Sequence, residues 1–307
     1  MAPPDLRDAD PTAAWTRLAG SGLRGAVAPA LGLDPRAGAA LAEALLALEP
    51  RAALRRLPDR QTFLVDPGAP GELPRCLDVD GDPVGLDPRP GGRPPWVVKC
   101  HRGGRGRQAV GEALRELVAG SAPRSPGRRE AETLAALAAL GLPVPAPLLW
   151  ARRGPVSLTV LAFVPHPRTL RGAVEAGELS AARLDELAAL VARLHAAGWY
   201  HRDLYLDHLL ETGDGLVLID AGRARRDPLP RLRWLAKDLA ALSSSAPPDL
   251  VRARLRVLVR WRRALARAGR PVDPRALLPE LARREARMRG RTPRHAHRPL
   301  EPPGGEG

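Results

Sequence analysis

Asparagine is absent from the 307-residue chain, isoleucine occurs once, and lysine occurs only as Lys99 and Lys237, beside 46 arginines. Aromatic residues make up 3%, and they do not interleave with basic residues as they do in single-strand binders, which stack bases between cations. That argues against nucleic acid as a partner. The two cysteines, Cys76 and Cys100, are too few for a disulfide framework and lack metal-ligand spacing, which fits a reducing compartment. No apolar run reaches the roughly 18 residues that a membrane-spanning helix needs, and the N-terminus lacks the basic-then-apolar order of a signal peptide. The expected location is cytoplasmic. No internal repeat is present.

With 44% apolar residues, the chain can bury a sizeable core as one large or two small domains. The net charge of +14 and pI near 11.3 favour anionic partners, such as lipid head groups or phosphorylated glycans. A general replacement of Lys by Arg and of Ile by Leu or Val accounts for much of this composition. The positions that escape it therefore carry weight, and several gather in one stretch: Tyr200, Tyr205 and Ile219.

That stretch runs Trp199-Tyr200-His201-Arg202-Asp203-Leu204-Tyr205-Leu206-Asp207-His208-Leu209-Leu210 and continues to Leu216-Val217-Leu218-Ile219-Asp220-Ala221-Gly222. Between the two apolar runs, Thr212-Gly213-Asp214-Gly215 is hairpin-turn composition. A turn centred near Asp214 pairs the strands so that Asp220 falls beside Asp207 and His208. Asp203 enters the same end of the hairpin, so carboxylates and an imidazole converge. Such a group suits a base for a hydroxyl next to a metal–phosphate site.

His201-Arg202-Asp203 followed by Asp220-Ala221-Gly222 resembles the catalytic and metal-binding loops of the protein-kinase-like fold. The run His-Arg-Asp-Leu-Tyr-Leu-x-His and the later Lys237-Asp238-Leu239-Ala240 are most similar to the bacterial lipopolysaccharide core kinases, the Kdo/WaaP family. The resemblance covers roughly residues 60 to 245. It implies an α+β, bilobal protein-kinase-like fold, with a small mixed N-lobe built on an antiparallel sheet and a larger, mainly helical C-lobe. It also implies ATP and Mg2+ as cofactors and a glycan or glycolipid acceptor. Asp203 is then the catalytic base and Asp220 a metal ligand. His208 stands where protein kinases place an Asn ligand, and imidazole is a poorer partner for hard magnesium than oxygen. His201, Lys237 and Asp238 become structural supports of the catalytic loop.

Trp96-Val97-Val98-Lys99 is a strand pattern whose lysine can reach nucleotide phosphates as a point charge. The helix opened by Arg128-Arg129-Glu130-Ala131-Glu132 carries a carboxylate to hold Lys99, Glu130 first and Glu132 as the fallback. Within residues 26–99, the stretch that leads to Lys99, no Gly-x-Gly-x-x-Gly occurs, so the usual phosphate-covering loop is not visible there. Ser157 to Val164 reads as an apolar strand leading to a hinge, with backbone groups from Ala162 to Val164 placed for adenine. Helices are expected over 35–48, 181–197, 231–242, 249–268 and 274–289, with His195 as a core histidine. Strands are expected over Gln61–Val65 and Arg75–Val79, with Asp80-Gly81-Asp82 as the turn.

The expected division is a helical extension over 1–57, an N-lobe over 58–164, a C-lobe over 165–290 and a disordered tail over 291–307. The function implied is ATP-dependent phosphorylation of a sugar hydroxyl in the lipopolysaccharide inner core or a related envelope glycan. The alternatives are a protein or small-molecule phosphotransferase and a non-catalytic nucleotide-binding module. Arg223, Arg225 and Arg226 are candidate contacts for substrate phosphates. Arg102, Arg105 and Arg107, with Arg252, Arg256, Arg260 and Arg263, are candidates for reversible docking on the anionic inner-membrane surface.

Overall fold

In the computed structural model, residues 11–20, 22–49, 52–57, 59–68, 74–77, 94–102, 124–227 and 231–289 are described. The turn at Asp80-Gly81-Asp82, most of the loop after it, Arg105, Arg107 and the tail from 291 lie outside them. Eight strands in the first half form an antiparallel sheet. They are β1 (Thr16–Arg17), β2 (Leu23–Val27), β3 (Arg55–Arg56), β4 (Arg60–Asp66), β5 (Arg75–Cys76), β6 (Trp96–Arg102), β7 (Pro147–Arg153) and β8 (Val156–Ala162). Their order is β1-β2-β7-β8-β6-β4-β3, with β5 paired to β4.

Strand alternation gives this sheet two different faces. Phe63, Val65, Trp96, Val98 and Cys100 point to one side and pack with Ala39, Ala42 and Leu45 of helix α1 (Pro35–Leu46). Arg60 and Thr62 stand on the other side, opposite His101 and Lys99. Helix α2 (Pro126–Ala139) covers that second face. Thr159, across from Lys99, donates its hydroxyl to the Gly127 carbonyl at 2.7 Å. A side chain on Gly127 would lie 2.4 Å from the Leu158 carbonyl, so only glycine lets the helix start this close to β8. Ser125 caps the helix through Arg128 N–H and Pro126 occupies its first turn, placement worth about 1 kcal/mol.

The described residues of the expected helical extension include strands as well as a helix. Helix α1 is there, but β1 and β2 extend the sheet edge, with Gly25 paired to Ala151. A Cβ on Gly25 would sit 2.4 Å from the Trp150 carbonyl. Glycine at this position is what allows β2 to approach β7.

Past Ala162 the chain becomes mainly helical. It runs through β9 (Arg168–Thr169), α3 (Leu170–Glu175), α4 (Ala181–Ala196) and β10 (Trp199–Tyr200) to the hairpin of β11 (Leu209–Thr212) and β12 (Gly215–Leu218). After β13 (Arg225–Arg226) come α5 (Leu232–Ser245), α6 (Val251–Arg267) and α7 (Pro274–Arg289). Leu184, Leu187, Val191 and Leu194 of α4 form the apolar face anticipated from their spacing. They pack with Leu235, Leu239 and Leu242 of α5 and with Val257, Trp261 and Leu265 of α6.

The buried apolar residues thus fall into two clusters, one on the sheet and one among the helices. This is the bilobal, protein-kinase-like α+β arrangement. Among the described residues no helix is long and apolar enough to cross a membrane. On α6, Arg256 and Arg260 do not form a free basic stripe with Arg252 and Arg263. Asp185 of α4 holds Arg256 at 2.7 Å and Arg260 at 3.2 Å.

Candidate active site

Two groups of polar side chains meet where the sheet faces the helices. The first surrounds Asp220. Lys99 Nζ, carried by β6, lies 2.6 Å from Glu130 Oε1 and 3.2 Å from Asp220 Oδ1. Glu130 is 1% exposed. Glu132, the other carboxylate in the same helix turn, instead binds Arg128 at 2.6 Å and Arg124 at 3.3 Å. Arg60 Nη1 also reaches Asp220 Oδ1, at 3.1 Å. His101 Nε2 approaches Glu130 Oε2 to 3.9 Å, beyond hydrogen-bond range.

Burial alone would raise the Asp220 pKa, but Lys99, Arg60 and His208 outweigh it and hold the carboxyl well below its ordinary value. Glu130 follows the same pattern: burial pushes its pKa up, and Lys99 with His101 brings it down on balance. Burial opposes the charge on Lys99, yet Asp220 and Glu130 raise its pKa overall. Two cations and two carboxylates thus lock one another in the ionised state. Removing Glu130, the fully buried member, leaves the charge of Lys99 without its closest partner, at a cost of about 3–5 kcal/mol.

The hairpin brings His208 to this group. Its register is Leu209 with Leu218 and Thr212 with Gly215, one residue tighter than a turn centred on Asp214 gives. Ile219 N–H accordingly donates to the His208 carbonyl at 2.9 Å. The ladder ends at Leu209 and Leu218; Leu206–His208 form a short 3-10 turn and Asp220 takes a positive φ, which separates the two aspartates expected to lie together. Asp207 turns to Arg171, 2.6 Å away, and only His208 approaches Asp220, with Nε2 3.6 Å from Oδ2. His208 Nδ1 lies 2.7 Å from the Asp203 carbonyl oxygen. A carbonyl can only accept, so Nδ1 carries the proton, and in the neutral ring the Nε2 lone pair is directed toward Asp220.

The second group surrounds Asp238 of α5, which is fully buried. Its carboxylate accepts from His201 N–H at 2.8 Å, from Arg202 N–H at 2.6 Å and from His195 Nε2 at 3.2 Å. The Trp261 indole N–H donates to His195 Nδ1 at 3.0 Å, which leaves Nε2 as the protonated nitrogen. His195 is therefore a core histidine. Lys237 Nζ donates to the Arg202 carbonyl and lies 3.7 Å from Asp203 Oδ1. Burial pushes its pKa down, with Asp203 partly opposing. His201 Nε2 donates to the Ile219 carbonyl at 3.0 Å, tying the catalytic-loop stretch to the end of the hairpin. Burial lowers the His201 pKa.

Arg202 (φ 70°) and Asp220 (φ 58°) are the non-glycine residues with positive φ among the described residues. Each such residue costs about 1 kcal/mol or more and persists only where its surroundings impose it. For Arg202 these surroundings are Asp238 and Lys237. Asp203, next in the chain, is held at 2.9 Å by Arg223. Arg223 had been a candidate for substrate phosphate; here its partner is a carboxylate. Arg225 and Arg226 pair with β10 as the short strand β13.

At the expected hinge, Ala162 N–H donates to the Ala146 carbonyl at 2.9 Å and Phe163 N–H to the Pro95 carbonyl at 3.0 Å. The Val164 carbonyl lies 2.8 Å from His166 Nδ1. Arg60 and His101 had not been anticipated in the site. One arginine among 46 gives no signal, although its place opposite His101 on the strand beside Lys99 would have put it on the right face.

Residues 97–261 match the sequence model of the lipopolysaccharide kinase (Kdo/WaaP) family, more than half of the chain. The lipopolysaccharide core heptose(I) kinase WaaP of Pseudomonas aeruginosa is 29% identical over 182 residues, covering 49% of this chain and 62% of that protein. The chain thus matches less than two thirds of that relative's length. A solved structure, WaaP in complex with acyl carrier protein, is 25% identical, covers 80% of this chain and 91% of its own, and superposes with a TM-score of 0.48. The chain belongs to the lipopolysaccharide kinase (Kdo/WaaP) family.

Proposed function

We propose that the chain transfers the γ-phosphoryl of ATP to a sugar hydroxyl of the lipopolysaccharide inner core, on Kdo or heptose, or of a related envelope glycan. The observation that carries this reading is Lys99 Nζ held between Glu130 at 2.6 Å and Asp220 at 3.2 Å, in a family of lipopolysaccharide kinases. An ammonium fixed by two carboxylates from different elements is positioned for phosphate oxygens before a nucleotide arrives, so little reorganisation remains when charge moves.

Lys99 then binds the nucleotide phosphates and Glu130 orients it, while the backbone from Ala162 to Val164 faces the adenine. Asp220 and His208 would hold magnesium. The donor set fits that ion, because magnesium is ordinarily held by one or two protein groups together with water and substrate phosphates. Asp220 offers a hard carboxylate and His208 directs Nε2 to the same side. When bound, magnesium neutralises charge on the phosphate oxygens. Asp203 orients the sugar hydroxyl and takes its proton as the oxygen bonds to the γ-phosphorus and ADP leaves. Arg223 and Lys237, on either side of Asp203, fix where its carboxylate points.

Reversible contact with an anionic membrane surface belongs to the same proposal. Arg252 and Arg263 are exposed on α6, and each basic group near such a surface contributes about 1 kcal/mol. Sedimentation with anionic vesicles that weakens at high salt would support it.

The test of function is incubation of the purified protein with γ-labelled ATP and core oligosaccharides carrying Kdo and heptose. Label should enter a sugar phosphomonoester and require Asp220. Label that goes only to protein or water would overturn the acceptor assignment.

A further inference from the structure

Arg60 lies in the part of the site where a glycine loop would be expected. β3 and β4 form the hairpin beside the Lys99 strand, and their turn runs from Leu57 to Arg60. Leu57 N–H donates to the Arg60 carbonyl at 2.7 Å, and Arg60 N–H to the Leu57 carbonyl at 3.3 Å. The turn sequence, Leu57-Pro58-Asp59-Arg60, contains no glycine, and its proline has no N–H. A turn of this sequence lacks the glycines through which glycine-rich loops lay backbone amides over phosphates. What it does project toward the cleft is a guanidinium, on the same sheet face as Lys99 and bonded to the same oxygen of Asp220.

We propose that Arg60 is a nucleotide-phosphate ligand that takes the place of the missing glycine loop. The inference rests on the kinase reading above and adds a residue to it. A guanidinium carries five donors in a fixed fork suited to phosphate, so Arg60 can address phosphate oxygens that Lys99, a point charge, leaves unbound. Lys99 and Arg60 already share one carboxylate oxygen at 3.2 and 3.1 Å. Once Asp220 is also shared with a dication, like-charge repulsion disfavours Arg60 there. Of the other carboxylates near it, Glu130 is engaged by Lys99 and Asp59 is its own neighbour in the turn, so phosphates on Lys99 are the new anions within its reach. Asp220 thus keeps Arg60 in place until nucleotide binds.

The test measures equilibrium binding of ATP, ADP and AMP to the full chain, with and without magnesium, for the parent, Arg60→Ala and Arg60→Gln. The parent should bind ATP more tightly than AMP. Loss of a charge-assisted phosphate contact should weaken ATP binding by about 10- to 100-fold and leave AMP binding within about threefold, which also shows that the variant's site is intact. Arg60→Gln retains part of the stem and serves if the alanine variant melts early. Equal losses for ATP and AMP would make Arg60 a structural prop, and unchanged ATP affinity would make it only a neutraliser of Asp220; either overturns the proposal. A parent that binds no ATP would instead overturn the kinase reading itself.

Discussion

Asp220 and Asp238 sit at opposite ends of one loop-and-hairpin unit and are treated in opposite ways. Asp238 is fully buried, and its partners are two backbone amides and a histidine N–H oriented by Trp261. Every contact is a directed hydrogen bond with nothing left over, the arrangement expected of a brace. The Asp220 side chain remains 21% exposed, and its neighbours are the cations Lys99 and Arg60 and, through Nε2, the imidazole of His208. Its backbone is held at positive φ. A carboxylate given several cations and a strained backbone, yet still open to solvent, is poised to exchange partners. Under the proposed function, the difference separates a residue that fixes a loop from one that would work on a ligand, although both are aspartates next to a kinase-like motif.

The largest expected effect concerns Asp203, which belongs to the loop that Asp238 braces but faces the cleft. Asp203→Asn should reduce phosphoryl transfer by about 10²- to 10⁴-fold while ATP affinity and melting temperature stay near the parent's. Transfer at the parental rate would remove Asp203 as the base. Next is Lys99→Arg on the Asp220 side. The charge is kept, but a second fork would crowd Arg60 at the same carboxylate, and Arg is no isostere of a point charge. We expect about 10- to 100-fold lower kcat/KM, in the range of a mispositioned contact. An unchanged value would mean that the lysine is not needed as a lysine.

The smallest effect is on the Asp238 side and appears in stability. Burial lowers the His201 pKa from its ordinary 6.5, so below that pH the unfolded chain takes up a proton that the folded chain refuses. The contribution is complete above about pH 6.5 and is lost as pH falls toward the folded value, by at most about 1.4 kcal/mol per pH unit. Urea midpoints between pH 7.5 and 5.5 should fall in the parent and fall less in His201→Gln. Equal slopes would show that other groups carry the pH dependence.

The sequence already brought Lys99, Glu130, Asp203 and Asp220 together by motif order, because each sits at a fixed offset from a glycine, a helix start or a hairpin. The scarcity of lysine made Lys99 and Lys237 visible for the same compositional reason that hid Arg60. The hairpin itself was legible, but its register was not. The turn is one residue tighter, and the ladder gives way to a 3-10 turn at Leu206–His208 and to positive φ at Asp220, so Asp207 meets Arg171 and His208 lies beside Asp220. The sheet edge made by β1 and β2 was hidden as well. Leu23–Val27 is short, and the close approach of Gly25 to the Trp150 carbonyl depends on a strand far away in the sequence. Ion pairs such as Asp185 with Arg256 depend on the packing of α4 against α6, which no local pattern encodes.

The most direct test sets Asp220→Asn beside Asp238→Asn, measuring melting temperature and γ-phosphoryl transfer for each. Asn at 238 turns an amide N–H toward donors that need an acceptor, a mismatch of about 2–3 kcal/mol, or roughly 5–10 °C for a chain of this size. Asn at 220 should shift the melting temperature by no more than about 3 °C and cut transfer by at least about 10²-fold. The account is contradicted if Asp220→Asn transfers phosphate like the parent, or if it melts as early as Asp238→Asn.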